Sequence, residues 1–423
     1  MIKTLSAVQD VAYDVEIPGS RVGPDDGPWP RPYHILAEAE LARELELTAK
    51  PLSFSIGSRY SAYGVNFQPC HVYSTQDRYT VQQLNVHGRI WTFTGVFDGH
   101  LGDLTVEHTA YHLPIIVKEL LSSSPPERLQ DPAEVSRILS DATTSFDHAI
   151  AGDILRVFPG GVEALANIPQ STIQAIINRN TDPQFLKKAR LCMYGTTALI
   201  ALVDPDHQNL WVANVGDSQA VLVSPNGPLK WKSELLTANH NCDNDAEISR
   251  VISEHPGEPE CILDRRVLGA LAPTRCIGDI PFKQPSEFTR KILYNIFPGY
   301  RDTSAWDEFL DRNISPPYIT AEPEITHRKL SPNTDNGFLI LCSDGLADLW
   351  STTFSDEQRM VDEWGGVVAE VVNKEGMSGK TNLALKLLRH SIGGEDVKSV
   401  SRVLTLDMNI PWIDDTTIVI QTL

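Results

Sequence analysis

Short runs of apolar residues, separated by longer segments with helical periodicity, limit most strongly what this 423-residue chain can fold into. In runs such as TALIALV and GFLILC the apolar residues are consecutive, as in strands that are buried on both faces. These runs predict strands at residues 89–97, 196–204, 209–216, 220–224, 337–343 and 416–423. Helical periodicity predicts helices at residues 105–121, 132–150, 245–254 and 381–390. We therefore expect a sheet core with helices on the outside.

An irregular arm and a helix precede these elements. Residues 23–34, GPDDGPWPRPYH, are rich in Pro and Gly, and the leucines and alanines of the following ILAEAELARELELTA recur at helical spacing. We predict an N-terminal arm and helix over residues 1–50 and one domain over residues 51–423, with an insertion at residues 281–315. The insertion is either the place where substrate or partner selectivity resides or a packed surface excursion.

The composition is that of a soluble globular protein, with 41% hydrophobic and 22% charged residues. The net charge of -19 disfavours a nucleic-acid partner or an anionic membrane surface, because phosphates would be repelled. No apolar run approaches the roughly 20 residues of a transmembrane helix, so we expect no transmembrane segment. The six cysteines form no CxxC pair, which disfavours disulfides and structural zinc and favours a reducing, intracellular compartment.

Four aspartates, Asp98, Asp217, Asp344 and Asp414, each lie beside an apolar strand pattern. A rigid sheet can aim such carboxylates, and if the strand ends converge, their oxygens suit Mg²⁺ or Mn²⁺. Two cations roughly 3.5 to 4 Å apart can lower the pKa of a bound water and neutralise phosphoryl oxygens during in-line displacement. No protein nucleophile is required by such chemistry.

Each of these signals also has an ordinary structural explanation. The Asp-Gly pairs that begin at Asp98 and Asp344 are common turn dipeptides, and Asp217 could simply close a hairpin between its two flanking strands. His100 could protonate a leaving alkoxide, but a lone histidine in a turn is more often a surface residue. Single residues therefore do not decide the function.

Seven segments, taken in chain order, resemble the successive motifs of the protein phosphatase 2C family. They are GVFDGH (95–100), YGTTA (194–198), ANVGDSQAVL (213–222), LTANH (236–240) with Glu247 and Arg250, APTRCIGD (272–279), LILCSDGLADLW (339–350) and DDTTIVI (414–420). The resemblance runs from about residue 57 to the C-terminus, and its strength lies in the shared order of so many motifs.

The resemblance implies an α+β fold, the four-layer αββα sandwich in which two antiparallel sheets pack face to face between helices. It implies a metal-dependent protein serine/threonine phosphatase, a hydrolase that cleaves phosphoserine and phosphothreonine with a metal-activated water. The implied cofactor is Mg²⁺ or Mn²⁺, with two ions per active site and a weaker third. The implied partners are phosphorylated proteins, and we expect a monomer.

The matching motifs also imply roles for single residues. Asp98 would bridge two metals, the backbone carbonyl of Gly99 would join one of them, and Asp344 and Asp414 would complete the pair. His100 would be the general acid that protonates the leaving oxygen.

Two further residues and two departures complete the implied site. Asp217 and Asp348 match the positions that hold the third metal. Where the family usually has a Glu-Asp pair, the best match is Gln76-Asp77; the glutamine carbonyl can hydrogen-bond a metal water, but the lost anion would weaken cation affinity. Many relatives have an arginine four residues before that glutamate to hold phosphate, and this chain has Val72 there.

Further segments, at residues 254–283, 316–326 and 387–394, are similar to the pyruvate dehydrogenase phosphatase branch of the family. This similarity implies the pyruvate dehydrogenase complex as substrate and the mitochondrial matrix as compartment. The N-terminal sequence gives no support for import, because its apolar run is short and Asp10, Asp14 and Glu16 are untypical of a transit peptide. The cytoplasm therefore stays open as the alternative.

Other functions compete with this interpretation. EGMSGKT, residues 375–381, superficially suggests a nucleotide-binding P-loop, but that motif needs a glycine where the chain has Lys374. No G-x-S-x-G elbow is present, which disfavours a serine hydrolase. The more serious alternative is a weakly active or inactive phosphatase-fold protein that acts as a regulatory binding module. Gln76 favours that alternative. His100 and the three principal aspartates favour an enzyme; these aspartates are Asp98, Asp344 and Asp414.

Overall fold

The computed structural model describes residues 11–14, 30–158, 160–179, 183–297, 299, 304–330, 337–351, 353–354, 356–377 and 379–423. Strands are numbered in chain order. They are β1 (Val11–Asp14), β2 (Arg31–His34), β3 (Leu52–Ile56), β4 (Tyr60–Phe67), β5 (Arg78–Val86), β6 (Arg89–Phe97), β7 (Gly99–His100), β8 (Gly195–Thr196), β9 (Ala198–Val203), β10 (Asn209–Val215), β11 (Gln219–Pro225), β12 (Trp231–Leu235), β13 (Ile262–Leu263), β14 (Arg266–Val267), β15 (Ile277–Gly278), β16 (Glu324–Lys329), β17 (Phe338–Cys342) and β18 (Thr416–Thr422).

Helices are numbered in the same way. They are α1 (Glu38–Ala49), α2 (Asp103–Ser123), α3 (Pro132–Leu155), α4 (Gly161–Leu165), α5 (Gln170–Arg179), α6 (Pro183–Leu191), α7 (Asp245–Glu254), α8 (Ser286–Lys291), α9 (Ser304–Arg312), α10 (Asp344–Trp350), α11 (Glu357–Glu375), α12 (Leu383–Ser391) and α13 (Val397–Thr405). Within the described residues, no helix is both long enough and apolar enough to cross a membrane.

The chain forms two compact units. The first contains the described residues of 1–81, 219–236 and 330–423. Its main element is a six-stranded antiparallel sheet in the order β12-β11-β17-β18-β4-β3, against which α1, α11 and α12 pack. The core of this unit includes the fully buried Phe67, Phe338, Trp364 and Trp412.

The second unit contains the described residues of 82–218 and 237–329. Its main sheet has the order β16-β10-β9-β6-β5, and the pairs from β16 to β6 are antiparallel. Helices α2 and α3 pack on each other and on this sheet, and Phe93 and Trp211 are buried in the core between them. The described part of the insertion at 281–315 is packed as well, since the rings of Phe282 and Phe309 stack at 4.6 Å.

The local sequence explains where several helices begin. The Asp131 side chain accepts a hydrogen bond from Ala133 N, and Pro132 occupies the first helical position of α3, where a missing N–H costs nothing. Asn244 and Asn382 cap α7 and α12 through their side-chain oxygens. Side-chain capping therefore explains where these three helices begin.

The predicted strands and helices are present in the structure. The arm at residues 23–34, expected to be irregular, instead contains β2, which pairs with β1, and its residues 23–29 lie outside the described part of the chain. A strand lies at each of the six predicted runs and a helix at each of the four predicted patterns, with β6 and α7 at the predicted bounds. The early helix is α1, whose Leu41, Leu45 and Ala49 are buried. The patterns did not single out α11, although it buries nine residues, because Gly365 and Gly366 interrupt its apolar spacing.

Candidate metal-binding and catalytic residues

Three of the predicted aspartates meet in the first unit. β17 and β18 are neighbouring antiparallel strands, so the end of β17 lies beside the start of β18. Asp344 begins α10 directly after β17, Asp348 lies one helical turn further on, and Asp414 precedes β18. The three side chains are half-buried and each offers a carboxylate oxygen within 4.8 Å of the others. Clustered carboxylate oxygens of this kind suit a hard divalent cation.

Asp77 is a buried acid in the same unit, and its role was not predicted from the sequence. It is fully buried and its Oδ2 accepts a 2.6 Å hydrogen bond from Ser343 Oγ. Burial, followed by the charge of nearby Asp415, raises the pKa of Asp77 to about 7, against the opposing effect of the Ser343 hydrogen bond. A negative charge at Asp77 is therefore costly unless a cation compensates it.

Gln76 lies in the same neighbourhood. Its backbone N donates a 2.6 Å hydrogen bond to Oδ2 of Asp415, and Gln68 Nε2 donates to the other oxygen of Asp415 at 2.9 Å. The side-chain Oε1 of Gln76 is buried and has no hydrogen-bond donor among the residues that the structure describes. A buried acceptor oxygen without a donor, beside carboxylates, fits a cation or its bound water. Asp415 directly follows Asp414, and Asp77 directly follows Gln76. Since Asp414 and Gln76 were predicted as site residues from the sequence, their neighbours could have been predicted as well.

The second unit holds Asp98 and Asp217. Asp98 follows β6, and its backbone is fixed by Thr197, whose N donates to the Asp98 carbonyl at 2.8 Å and whose Oγ1 accepts from Asp98 N at 3.1 Å. The two carboxylates have oxygens within 4.8 Å of each other, and Asn241 Nδ2 donates to Asp217 at 3.0 Å. Gly99 and His100 form the short strand β7, which pairs with β8.

One structural alternative for Asp217 is wrong. β10 ends at Val215 and β11 begins at Gln219, but the two strands belong to different sheets and do not pair. Asp217 therefore does not close a hairpin between them. The sequence suggested a hairpin because the connection is short, whereas each strand has its neighbours elsewhere: β10 pairs with β9 and β16, and β11 with β12 and β17.

His100 has a buried carboxylate as its partner. Nε2 of His100 lies 2.7 Å from Oδ2 of Asp279, and the side chain of Asp279 is 2% exposed. The Cys276 thiol donates to the same oxygen at 2.9 Å. Burial raises the pKa of Asp279, but His100, Cys276 and the Lys283 cation outweigh burial, so that its pKa lies below the usual value. The motif that ends in Asp279 was recognised from the sequence, but not this contact.

A buried ionic network fixes the segment that precedes Asp279. Glu247 on α7 accepts hydrogen bonds from Arg275 at 2.7 Å, Arg250 at 2.9 Å and Thr274 Oγ1 at 2.6 Å. Burial alone raises the pKa of Glu247, but Arg275, Arg250 and Thr274 together lower it well below 4.5. Glu247 is thus an ionised structural anchor.

Two other sequence features are explained without catalysis. In the segment that resembles a P-loop, the Glu375 carboxylate accepts hydrogen bonds from Thr381 N at 3.2 Å and Thr381 Oγ1 at 2.7 Å. The threonine that would bind a metal in a P-loop is therefore engaged by an acid. At the position of the family's phosphate-binding arginine, Val72 is 63% exposed, while nearby Arg78 donates to the carbonyls of Thr75 and Asp77 at 2.7 Å each.

Comparison with known proteins decides the family. The family model described as "Protein phosphatase 2C" matches residues 76–355, more than half of the chain. The chain belongs to the protein phosphatase 2C family. It is accordingly a protein serine/threonine phosphatase, and the α+β fold class inferred from the motifs is confirmed. Metal dependence is typical of protein phosphatase 2C enzymes, and the acidic groups described above could hold a metal.

Several curated proteins are similar to this protein phosphatase 2C chain. A protein phosphatase 2C homolog of Schizosaccharomyces pombe is 30% identical over 379 residues, which cover 83% of this chain and 77% of that protein. The mitochondrial pyruvate dehydrogenase phosphatase 2 of Homo sapiens is 32% identical over 284 residues, 59% of this chain and 51% of that protein. The mitochondrial pyruvate dehydrogenase phosphatase 1 of Saccharomyces cerevisiae is 32% identical over 267 residues, 61% of this chain and 42% of that protein. The chain thus spans about half of the length of these two mitochondrial relatives.

Solved structures show the same fold at low sequence identity. A sex-determining protein of C. elegans has a TM-score of 0.52 and 17% identity, covering 87% of this chain and 65% of that chain. A phosphatase from Toxoplasma gondii has a TM-score of 0.50 and 14% identity, covering 86% of this chain and 92% of that chain.

Proposed function

We propose that this phosphatase hydrolyses phosphoserine and phosphothreonine by direct attack of water, with divalent cations held by the aspartates at the strand ends. The observation that carries the proposal is the carboxylate cluster of Asp344, Asp348 and Asp414, with the buried acid Asp77 in the same unit. Clustered carboxylate oxygens beside a buried acid favour the binding of a divalent cation. Mg²⁺ or Mn²⁺, when bound, supplies the positive charge that lowers the pKa of water and neutralises phosphoryl oxygens.

We assign the ligands as the family motifs imply. Asp98, the carbonyl of Gly99, Asp344 and Asp414 would hold two ions, with Asp98 shared between them, and this shared role rests on the resemblance. Asp217 and Asp348 would hold a weaker third ion in the same way. Gln76 would contact a cation through water, which its buried and unpartnered Oε1 supports.

The chain's own residues then account for the proton transfers. A new bond forms between the water oxygen and phosphorus while the bond from phosphorus to the serine or threonine oxygen breaks. His100, protonated, gives its proton to the departing oxygen, and the protons of the attacking water stay with the phosphate, so that the products are an alcohol and inorganic phosphate. The rigid pairing of β7 with β8 holds His100 in place for this step.

The substrate that we propose is phosphorylated pyruvate dehydrogenase, with the mitochondrial matrix as the compartment. The support is the similarity to relatives that are named mitochondrial pyruvate dehydrogenase phosphatases. Release of phosphate from the phosphorylated dehydrogenase complex, compared with an equal concentration of an unrelated phosphoserine protein, tests this. We expect faster release from the complex; equal rates would remove the substrate assignment and leave the phosphatase assignment intact.

A second candidate function is a regulatory module that binds phosphoproteins without turnover. Gln76 favours it, because a neutral amide replaces the usual carboxylate beside the metals. Phosphate release from phosphoserine, phosphothreonine and phosphotyrosine peptides, each with Mn²⁺ and with EDTA, separates the two candidates. The enzyme releases phosphate from the first two peptides only when Mn²⁺ is present. A module binds them, for example in a fluorescence titration, and releases none.

A further inference from the structure

The carboxylate that contacts His100 is that of Asp279, which lies in the protein interior. Asp279 is almost completely buried, whereas the His100 side chain is 25% exposed. An ionised carboxylate accepts hydrogen bonds and donates none, so the nitrogen that faces it at 2.7 Å must carry hydrogen. The contact therefore fixes which ring nitrogen of His100 is protonated when the imidazole is neutral, namely Nε2.

Hydrogen bonds with Asp147 and Lys283 hold the turn that carries Asp279. Asp147 on α3 accepts hydrogen bonds from Gly278 N at 2.8 Å and from Lys283 Nζ at 2.7 Å, and Lys283 also donates to the Cys276 carbonyl at 2.7 Å. Asp279 itself has a φ of 48°, a left-handed conformation that is uncommon for a residue with a side chain. Strain of this kind persists where the surroundings hold it, and it is typical of functional positions.

The residues around the His100–Asp279 pair pack closely against it. A Cβ atom on Gly195 would overlap both Oδ2 of Asp279 and Nε2 of His100, so the backbone approaches the pair more closely than any side chain would permit. The Cys276 thiol, whose pKa burial raises well above its usual value, stays protonated and donates to the same Oδ2. Two donors thus converge on one carboxylate oxygen.

We propose that Asp279 is a positioning residue for His100. By accepting from Nε2, it orients the imidazole and leaves Nδ1 as the nitrogen that transfers a proton to the departing alkoxide. The arrangement is that of a carboxylate that orients a catalytic histidine through a hydrogen bond to one ring nitrogen. The inference rests on the proposed role of His100 as general acid, and Cys276 supports Asp279 from the far side.

The kinetic test compares two leaving groups. Asp279→Asn removes the charge while keeping the shape, and we expect about 10-fold to 100-fold slower turnover of a phosphoserine peptide, whose alkoxide needs a proton. Turnover of p-nitrophenyl phosphate should change by less than about threefold, because p-nitrophenolate leaves without one. Asp311→Asn makes the same change at an exposed carboxylate that pairs with Arg290 and should alter neither rate.

A double-mutant cycle separates positioning from folding. In a His100→Ala background, Asp279→Asn should cost no further phosphoserine turnover, because it acts through the imidazole. Equal losses on both substrates, an undiminished loss in the His100→Ala background, or wild-type rates in Asp279→Asn would each overturn the inference. These outcomes leave the phosphatase assignment standing, whereas absence of turnover in the wild type would remove the assignment itself.

A measurement on the wild-type, metal-free protein needs no variant to fold. Ring-¹⁵N histidine labelling reports which nitrogen of each neutral imidazole carries hydrogen. We expect the His100 signals, identified by their loss in His100→Ala, to show the Nε2–H form once alkaline pH has made the ring neutral. An Nδ1–H form would contradict the contact with Asp279 independently of any activity.

Discussion

Ser343 Oγ donates a 2.6 Å hydrogen bond to Oδ2 of Asp77, and both residues are buried. The same hydroxyl accepts from Thr417 N at 2.9 Å, at the start of β18. Because Ser343 lies between β17 and Asp344, this one side chain ties two strand ends to the segment that carries the Gln-Asp pair. The cluster of acids in the first unit is therefore built into the sheet.

Asp77→Asn should stabilise the metal-free protein at high pH. The pKa of Asp77 is raised to about 7 from 3.8, so between these values the folded state holds a proton that the unfolded state releases. The stability of the wild type therefore falls as pH rises from 3.8 to about 7 and stays low above. The variant lacks this fall, and thermal unfolding between pH 4 and pH 8 should show its advantage growing with pH. A difference that does not change with pH contradicts the assigned charge at Asp77.

Gln76→Glu should tighten cation binding. The added carboxylate lies where a buried acceptor already lacks a donor, and we expect about 10-fold higher Mn²⁺ affinity by calorimetry. Without metal, the new charge repels Asp415, which accepts from the backbone N of residue 76, so the metal-free variant should unfold at a lower temperature. Gln208→Glu adds the same charge at an exposed position and serves as control. Unchanged affinity would place residue 76 outside the metal site.

Glu247→Gln should lower the free energy of unfolding by roughly 3 kcal/mol at pH 7, because it leaves Arg250 and Arg275 without their shared buried anion. Since the pKa of Glu247 is lowered in the fold, its contribution is complete above about pH 4.5 and is lost as pH falls below that value. Denaturant titrations at pH 7 and pH 3.5 should therefore show a smaller difference at the lower pH. Glu254→Gln, which removes an exposed ion pair of Arg250, should cost less than about 1 kcal/mol.

Gly195→Ala should damage both turnover and stability. The added methyl group would overlap Asp279 and His100, and one of them must move. Gly152→Ala, in the interior of α3 with open space at its Cβ position, should instead stabilise the fold by about 0.5 to 1 kcal/mol. Phosphate release and thermal unfolding of the two variants make the comparison. A Gly195→Ala protein with wild-type turnover would show that the geometry of the His100–Asp279 pair is not needed.

The sequence predicted the elements and the principal aspartates because both leave local patterns. Runs that are apolar on both faces predicted the strands β9 and β17. The position of Asp98 and Asp344 beside apolar runs predicted them as site residues. Partners that are distant in the chain leave no such pattern. The bond from Ser343 to Asp77 joins residues 266 positions apart, and that from His100 to Asp279 joins residues 179 positions apart. Short connections can also predict a contact that does not exist. The short connection at Asp217 suggested a hairpin, but strands that are adjacent in sequence need not pair in a sheet.

The most direct test of the account is phosphate release from a phosphoserine peptide at saturating Mn²⁺, by the wild type, Asp98→Asn and Asp344→Asn. Asp206→Asn, which changes an exposed aspartate paired with Arg89, is the matched control. We predict that EDTA abolishes wild-type turnover, that both site variants lose about 100-fold or more, and that the control keeps the wild-type rate. Turnover that resists EDTA, or wild-type rates in both site variants, would contradict a metal-dependent phosphatase built on these carboxylates.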